Sequence, residues 1–107
     1  MDAHRIAEER SLALHREIAA RLRADPGLIE VARAQVAAQL LAGRSPWYAA
    51  AWRELLAGPL EEVIAALLDP GQEARALRQA TPFAGIVGPR ERWRIWREVR
   101  SRCEAAP

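Results

Sequence analysis

Lysine and asparagine are absent from this sequence of 107 residues, and cysteine, methionine, phenylalanine and tyrosine each occur once. Because Cys103 is alone, it cannot form a disulfide within the chain, and the fold must depend on its apolar core. No run approaches the roughly 18 consecutive apolar residues of a membrane-spanning helix, and no apolar segment follows Met1. These absences predict a cytoplasmic protein in a reducing compartment, with no membrane partner.

Catalytic and metal-binding patterns are also missing. A metal site needs clustered His, Cys, Asp or Glu, whereas His4 and His15 lie three turns apart on one predicted helix and Cys103 is distant in sequence. The serines and Thr81 occupy positions that helices, caps or turns already explain, and the glycines do not match a phosphate-binding loop. We therefore expect no enzymatic activity, no metal, no cofactor and no small-molecule substrate. His15 lies at the edge of an apolar face, so we expect it to be packed or capped.

Prolines divide the chain into stretches with helical periodicity. Five of them each precede such a stretch: Pro26, Pro46, Pro59, Pro70 and Pro89. Asp25, Ser45 and Asp69 stand immediately before three of these prolines, where each side chain can cap a helix. No window alternates apolar and polar residues as a half-buried strand does. The sequence predicts an all-α fold, a single compact domain over residues 1–107 with about five to six helices.

The periodicity also predicts where each helix lies and which face it buries. The helices are expected at about residues 3–24, 28–42, 46–57, 60–68, 72–80 and 89–103. The first should bury one face, formed by Ala7, Leu14, Ile18 and Leu22. The second should bury Leu28, Ala32, Val36 and Leu40. Trp47 and Trp52, both in the third helix, are expected to build the core.

Positive charge is concentrated near the carboxyl end. All sixteen cationic side chains are arginines, a bias that a GC-rich genome explains. Their distribution is more informative, because residues 78–104 carry seven Arg against three Glu, while the rest of the chain carries nine Arg against eleven acids. Arginine has planar donors that suit carboxylate, phosphate and aromatic groups. A partner of the last helix is therefore expected to be acidic.

The last predicted helix, residues 89–103, is rich in Trp and Arg. When this helix is projected down its axis at about 100° per residue, one side is apolar. This apolar arc contains Ile95, Trp96, Val99 and Cys103, together with Arg92. Trp93 lies at its margin, and Arg90, Arg94 and Arg97 lie on the opposite side. Three interpretations stay open for these arginines: solvation or pairing with Glu91 and Glu98, contact with an acidic protein surface, or contact with a phosphate backbone.

Tryptophan and arginine dominate the binding energy of many protein interfaces. We therefore predict a partner-binding surface formed by Phe83, Arg90, Trp93, Arg94, Trp96 and Arg97. Phe83, in the turn TPFAG, could instead fill the core between the last two helices. Pattern alone also leaves open whether Trp93 and Trp96 are buried in the core or exposed for binding.

Two segments carry a family resemblance: SLALHREIAARLRADPGLIEVAR at residues 11–33 and LRQATPFAGIVGPRERWRIWREVR at residues 77–100. Together they resemble a family of small helical bacterial proteins that are similar to antitoxins of two-gene toxin–antitoxin modules. The most distinctive element is the pattern PFAG, PRERW and a further Trp, at residues 82–96. The resemblance implies a protein that binds and neutralises a cognate toxin encoded by the adjacent gene. It identifies no functional residues of its own.

Two other classes of function remain as alternatives. The chain could be a small DNA-binding regulator that contacts operator DNA through its basic last helix. The helix pair around Gly58 does not favour this, because its second helix, LEEVIAALL, is acidic and then apolar, unlike a recognition helix. The chain could also be a helical adaptor that forms a homo-oligomer.

Overall fold

Six α-helices and two short 3-10 helices make up the described part of the chain, residues 3–105 of a computed structural model. The helices are α1 Ala3–Ala24, α2 Ile29–Leu41, α3 Pro46–Ala57, α4 Leu60–Leu68, α5 Gln72–Gln79 and α6 Pro89–Ala105, with 3-10 helices at Pro26–Leu28 and Ala84–Ile86. No strand occurs between residues 3 and 105, so the all-α prediction is confirmed. The last helix runs to Ala105, two residues beyond its predicted end. Residues 1, 2, 106 and 107 of the predicted domain lie outside the described range.

Helix α1 is the central element of the molecule. Helices α4 and α6 pack along it, and α5 contacts α1, α3 and α4. Helices α2 and α3 pack extensively against each other and run antiparallel, since Arg33 near the start of α2 bonds the Leu56 carbonyl near the end of α3, as short connections favour. The described residues extend over 44 × 28 × 24 Å. No helix among them is both long and apolar enough to cross a membrane.

The predicted apolar face of α1 lies largely in the core. Leu14, Ile18 and Leu22 are buried there, but Ala7 is exposed, so the prediction that Ala7 is buried is wrong. Helix α5 reaches this end of α1 only at its edge, where Arg75 forms an ion pair with Glu8. Helix α4 contributes three fully buried side chains to the core, Val63, Ile64 and Leu67. On α2, by contrast, only Ala32 and Val36 are buried, while Leu28 and Leu40 are partly covered.

The two tryptophans of α3 have opposite environments. Trp52 is fully buried, and its indole Nε1 donates a hydrogen bond of 3.0 Å to the Leu77 carbonyl. Trp47 is 67% exposed, and its ring meets that of Tyr48 edge to face. The prediction that Trp47 belongs to the core is therefore wrong. Helix α3 buries Ala49, Trp52 and Leu56, and this orientation of the helix leaves the Trp47 ring in solvent at its first turn.

The α2–α3 connection depends on left-handed backbone at two residues. Gly43 has φ of +70°, its amide donates to the Leu40 carbonyl, and the amide of Arg44 donates to the Gln39 carbonyl. This is the Schellman arrangement, in which glycine adopts positive φ at little cost. Ser45 also has positive φ, and its side chain caps no helix, so the capping role predicted for it is wrong. Asp25 does cap its 3-10 helix, through a bond from the Gly27 amide.

The carboxylate of Asp69 has a different role from the predicted one. It accepts a bond of 2.7 Å from the Gly71 amide. Helix α5 begins only after Gly71, which is its N-cap residue, and Asp69 itself is the C-cap residue of α4. The prediction that Asp69 caps the next helix is therefore wrong, since its side chain stabilises the turn between α4 and α5.

Candidate functional site

Helix α6 is held on α1 by apolar packing and by one arginine. Ile95 and Val99 face inward and are buried, as the helical projection predicted. From α1, Arg21 forms an ion pair with Glu91, and its Nη1 donates a 2.7 Å hydrogen bond to the Ile86 carbonyl. These contacts set the rotation of α6 about its axis, and that rotation decides which side chains face solvent.

The outward side of α6 presents an indole between two free guanidinium groups. Trp93 is 63% exposed, and Arg90 and Arg97 are exposed one turn before and one turn after it. Residues separated by three or four positions are neighbours on a helix surface. Within residues 3–105, neither Arg90 nor Arg97 makes an ion pair or a hydrogen bond through its side chain. We refer to Arg90, Trp93 and Arg97 as the α6 surface.

Arg94, also predicted to contact a partner, has its charge neutralised within the helix. Its guanidinium forms ion pairs of 3.1 Å with Glu91 and with Glu98, three residues before it and four after it. This is the pairing that the sequence left open as one interpretation. Of the three arginines placed on the outward side by the sequence, Arg90 and Arg97 remain without an ion pair within residues 3–105.

Trp96 faces the protein rather than the solvent. Its ring is partly buried and packs against the core, and the Arg92 guanidinium lies 5.9 Å from the ring centroid. Arg92 also donates a 2.6 Å bond to the Ala84 carbonyl, which explains a cation on the apolar arc of the helix. The position of Trp96 serves the packing of α6, and we do not include Trp96 in the α6 surface; its predicted contact with a partner stays a prediction.

Phe83 is completely buried, so its predicted role as an exposed anchor is wrong. Its ring meets Trp52 edge to face, with centroids 5.8 Å apart and planes at 77°. The preceding turn directs the side chain inward, since the Phe83 amide donates to Thr81 Oγ1 and its carbonyl accepts from the Ile86 amide. The alternative interpretation of Phe83 as a core residue is confirmed.

The histidines do not assemble a reactive centre. His15 is buried, and its Nδ1 lies 2.7 Å from the Ser11 carbonyl. Its desolvation lowers the pKa of the imidazole to about 4, an effect to which the nearby charge of Arg78 adds. His4 is exposed near the other end of the helix. No group of three His, Cys, Asp or Glu side chains within residues 3–105 is placed to hold a metal ion.

Sequence reasoning missed a second surface, on α2 and α3. Leu41 and Trp47 are exposed there, and an apolar groove runs between the two helices. A signal for it was present in the sequence. The segment IEVARAQVAAQLL carries apolar residues on all sides of the helix, although a surface helix normally confines them to one stripe.

Comparison of the chain with protein-family models, with curated proteins and with solved structures found no match. The resemblance to antitoxins receives no support from these comparisons.

Proposed function

We propose that the chain is a non-enzymatic protein-binding module whose α6 surface contacts an acidic patch on a partner. The observation that carries this proposal is the exposed Trp93 between two unpaired cations, Arg90 and Arg97. An indole buries a large apolar area when a partner covers it, and flanking guanidinium groups form bidentate bonds with carboxylates. Folding alone requires none of these three side chains at the surface.

The specific partner in this proposal is a cognate toxin encoded by the adjacent gene. An enzyme that uses a divalent cation to cut RNA or transfer nucleotides holds it with carboxylates, and a basic helix is electrostatically suited to cover such a site. The family resemblance of residues 11–33 and 77–100 points in the same direction. The mechanism would be stoichiometric neutralisation: the antitoxin occupies the active site and thereby blocks substrate entry.

The test is co-expression and purification with the protein encoded by the neighbouring gene, followed by titration calorimetry. The double substitution Arg90→Glu/Arg97→Glu should weaken binding by about tenfold or more, since it replaces attraction with repulsion. Trp93→Ala should weaken binding by a similar factor, since it removes the apolar anchor. Both variants should also fail to rescue growth when the toxin is expressed.

The matched control is Arg23→Glu/Arg44→Glu, which changes the net charge equally. Both arginines are exposed, and neither side chain has an ion pair within residues 3–105. If the control and the α6 variants weaken binding equally, the effect is one of net charge, and the α6 surface is not the interface. Unchanged binding in the α6 variants would overturn the assignment directly.

The same variants test the alternative of DNA binding. Binding of duplex DNA should weaken steeply as salt rises, by roughly one counterion for each phosphate contact. Glu91 and Glu98, which lie on α6 beside Arg94, repel phosphates and disfavour this alternative. If the unsubstituted protein gives a salt-dependent gel shift and Arg90→Glu/Arg97→Glu does not, the α6 surface binds DNA and not a protein partner. Light scattering of the purified chain tests self-association.

A further inference from the structure

Helix α2 has more apolar surface than the fold covers. Of its thirteen residues only Ala32 and Val36 are buried, while Val31 is 52% exposed and Leu41 is 92% exposed. Helices that are apolar on all sides are normally covered on all sides. Within residues 3–105, no element covers the outward side of this helix.

An open groove of about 630 Å³ lies between α2 and α3. Val36 and Leu40 from α2 and Leu56 from α3 form its apolar floor, and Leu41 extends the floor at one end. The groove shares no residue with the α6 surface, and α6 packs on α1 instead. A ligand of this groove is therefore independent of the function proposed for α6.

The only charged side chains that line the groove are arginines, one on each helix. Arg33 is fixed in place, because its Nε and Nη2 donate to the Leu56 carbonyl at 3.1 and 2.8 Å, and its Nη1 pairs with Glu30. Arg53 is exposed, and its side chain has no ion pair or hydrogen bond within residues 3–105. None of the eight lining residues, all of them in this described range, is acidic.

This distribution of charge selects the occupant. An apolar floor bordered by Arg53, whose cation has no ion pair within residues 3–105, complements an apolar stripe that carries carboxylates at its edge. The charge of Arg33, by contrast, is already compensated by Glu30. A second copy of this chain, docked by the same groove, would add a second Arg53 and no acidic lining residue, so this cation would gain no carboxylate from the contact. The phosphates of duplex nucleic acid would complement the charge of the arginines, but the apolar leucines of the groove would then face a charged backbone.

The length of the groove indicates the kind of segment that fits. From Arg33 to Leu41 the helix advances eight residues, or about 12 Å at 1.5 Å per residue. Two turns of a docked helix present apolar side chains at positions i, i+3, i+4 and i+7 over that distance. We propose that the α2–α3 groove binds an amphipathic helix of a partner protein, with acidic residues flanking its apolar stripe.

A synthetic helical peptide of about 14 residues tests the proposal, since helices of this length are marginal in water and can fold on docking. The peptide has leucines at i, i+3, i+4 and i+7 and glutamates on both flanking rows. A second peptide replaces every glutamate with lysine, and a third scrambles the order of the acidic peptide. Binding is measured by fluorescence anisotropy of labelled peptide, and the site is mapped by amide chemical-shift changes in the full chain.

The acidic peptide should bind with shift changes at the residues lining the groove, and the lysine and scrambled peptides should bind about tenfold more weakly or not at all. Arg53→Glu should reverse the preference between the acidic and the lysine peptide. Leu41→Asp should abolish binding without unfolding the chain, because this side chain is almost fully exposed. Arg23→Glu and Trp93→Ala, which lie outside the groove, should leave binding unchanged.

Three results would overturn the proposal. Equal binding of the acidic and lysine peptides would show that charge does not select the occupant. Shift changes confined to other helices would place the peptide elsewhere. A dimer in light scattering that Leu41→Asp converts to monomer would assign the groove to a second copy of this chain.

Discussion

At the scale of single residues, His15 shows how burial changes the chemistry of a side chain. The ring is inside the core between α1 and α5, where its Nδ1 lies next to the Ser11 carbonyl and its Nε2 has no hydrogen-bond partner within the described residues. Protonation would place a charge in an apolar site beside the Arg78 cation. The folded protein therefore favours the neutral imidazole, and the pKa falls from 6.5 to about 4.

The lowered pKa of His15 predicts a pH dependence of stability. Below pH 6.5 the unfolded chain takes up a proton that the folded chain does not accept until about pH 4. The contribution of the neutral His15 to the free energy of unfolding is thus complete above pH 6.5 and is lost as the pH falls to 4. At 1.36 kcal/mol per pKa unit, the total loss is about 3 kcal/mol. Urea denaturation at pH 7 and pH 4 should show this loss.

His15→Gln removes the titrating group and should flatten that part of the profile, even if its stability at pH 7 is lower. His4→Gln is the matched control, because His4 is exposed on the same helix, and its profile should follow that of the unsubstituted protein. Identical pH profiles for the His15 variant and the unsubstituted protein would contradict the prediction, since carboxylates alone would then account for the acid sensitivity.

At the scale of the secondary-structure elements, a buried arginine joins α5 to the end of α4. Arg78 is almost fully buried, and its Nη1 lies within hydrogen-bonding distance of the carbonyls of Asp69, Leu67 and Ala66, at 2.6, 3.3 and 3.5 Å. The last carbonyls of a helix have no partner within that helix. Arg78 thus supplies from α5 the donors that α4 lacks, and a cation also suits the negative end of the helix dipole.

Arg78→Met should lower the free energy of unfolding by about 2 kcal/mol, because it keeps an apolar stem but leaves buried carbonyls without donors. The measurement is a denaturant midpoint at constant m value. Arg97→Met provides the control, since its side chain is exposed, and it should change stability by less than about 0.5 kcal/mol. Equal effects of the two substitutions would mean that Arg78 does not cap α4.

At the scale of the whole molecule, the four tryptophans have three different roles. Trp52 lies at the centre of the core against Phe83, and Trp96 packs at its edge under Arg92. Trp47 and Trp93 are exposed on different helices, α3 and α6. Large apolar side chains left at the surface commonly mark binding sites. Trp93 therefore marks the α6 surface for which we propose a partner, whereas Trp47 is exposed on α3 outside the residues that line the groove.

This division predicts how each indole contributes to stability. Trp52→Ala should destabilise the fold by about 3–5 kcal/mol, the range for large buried aromatics. Trp47→Ala and Trp93→Ala should change stability by less than about 0.5 kcal/mol. Thermal unfolding followed by circular dichroism measures all three. A loss for Trp93→Ala comparable to that of Trp52→Ala would mean that α6 needs this indole for folding, and the case for a binding surface would fail.

The sequence alone determined the helices and much of the core. Their boundaries were predicted within one or two residues because prolines, glycines and apolar periodicity act locally, over a few residues of chain. For the same reason Leu14, Ile18 and Leu22 were correctly assigned to the core, whereas the exposed Ala7 shows that periodicity does not reveal how far the covering helices extend.

Only the tertiary structure decided which aromatic and cationic side chains reach the solvent. Trp47 and Trp52 both lie on apolar rows of one helix, and Phe83 lies in a turn that pattern cannot orient. Their burial depends on which neighbours pack against each row, and those neighbours are distant in sequence. The charge of Arg94 is compensated by glutamates whose rotamers are set by the folded surface. Local sequence thus determines the elements, while exposure and pairing follow from their packing.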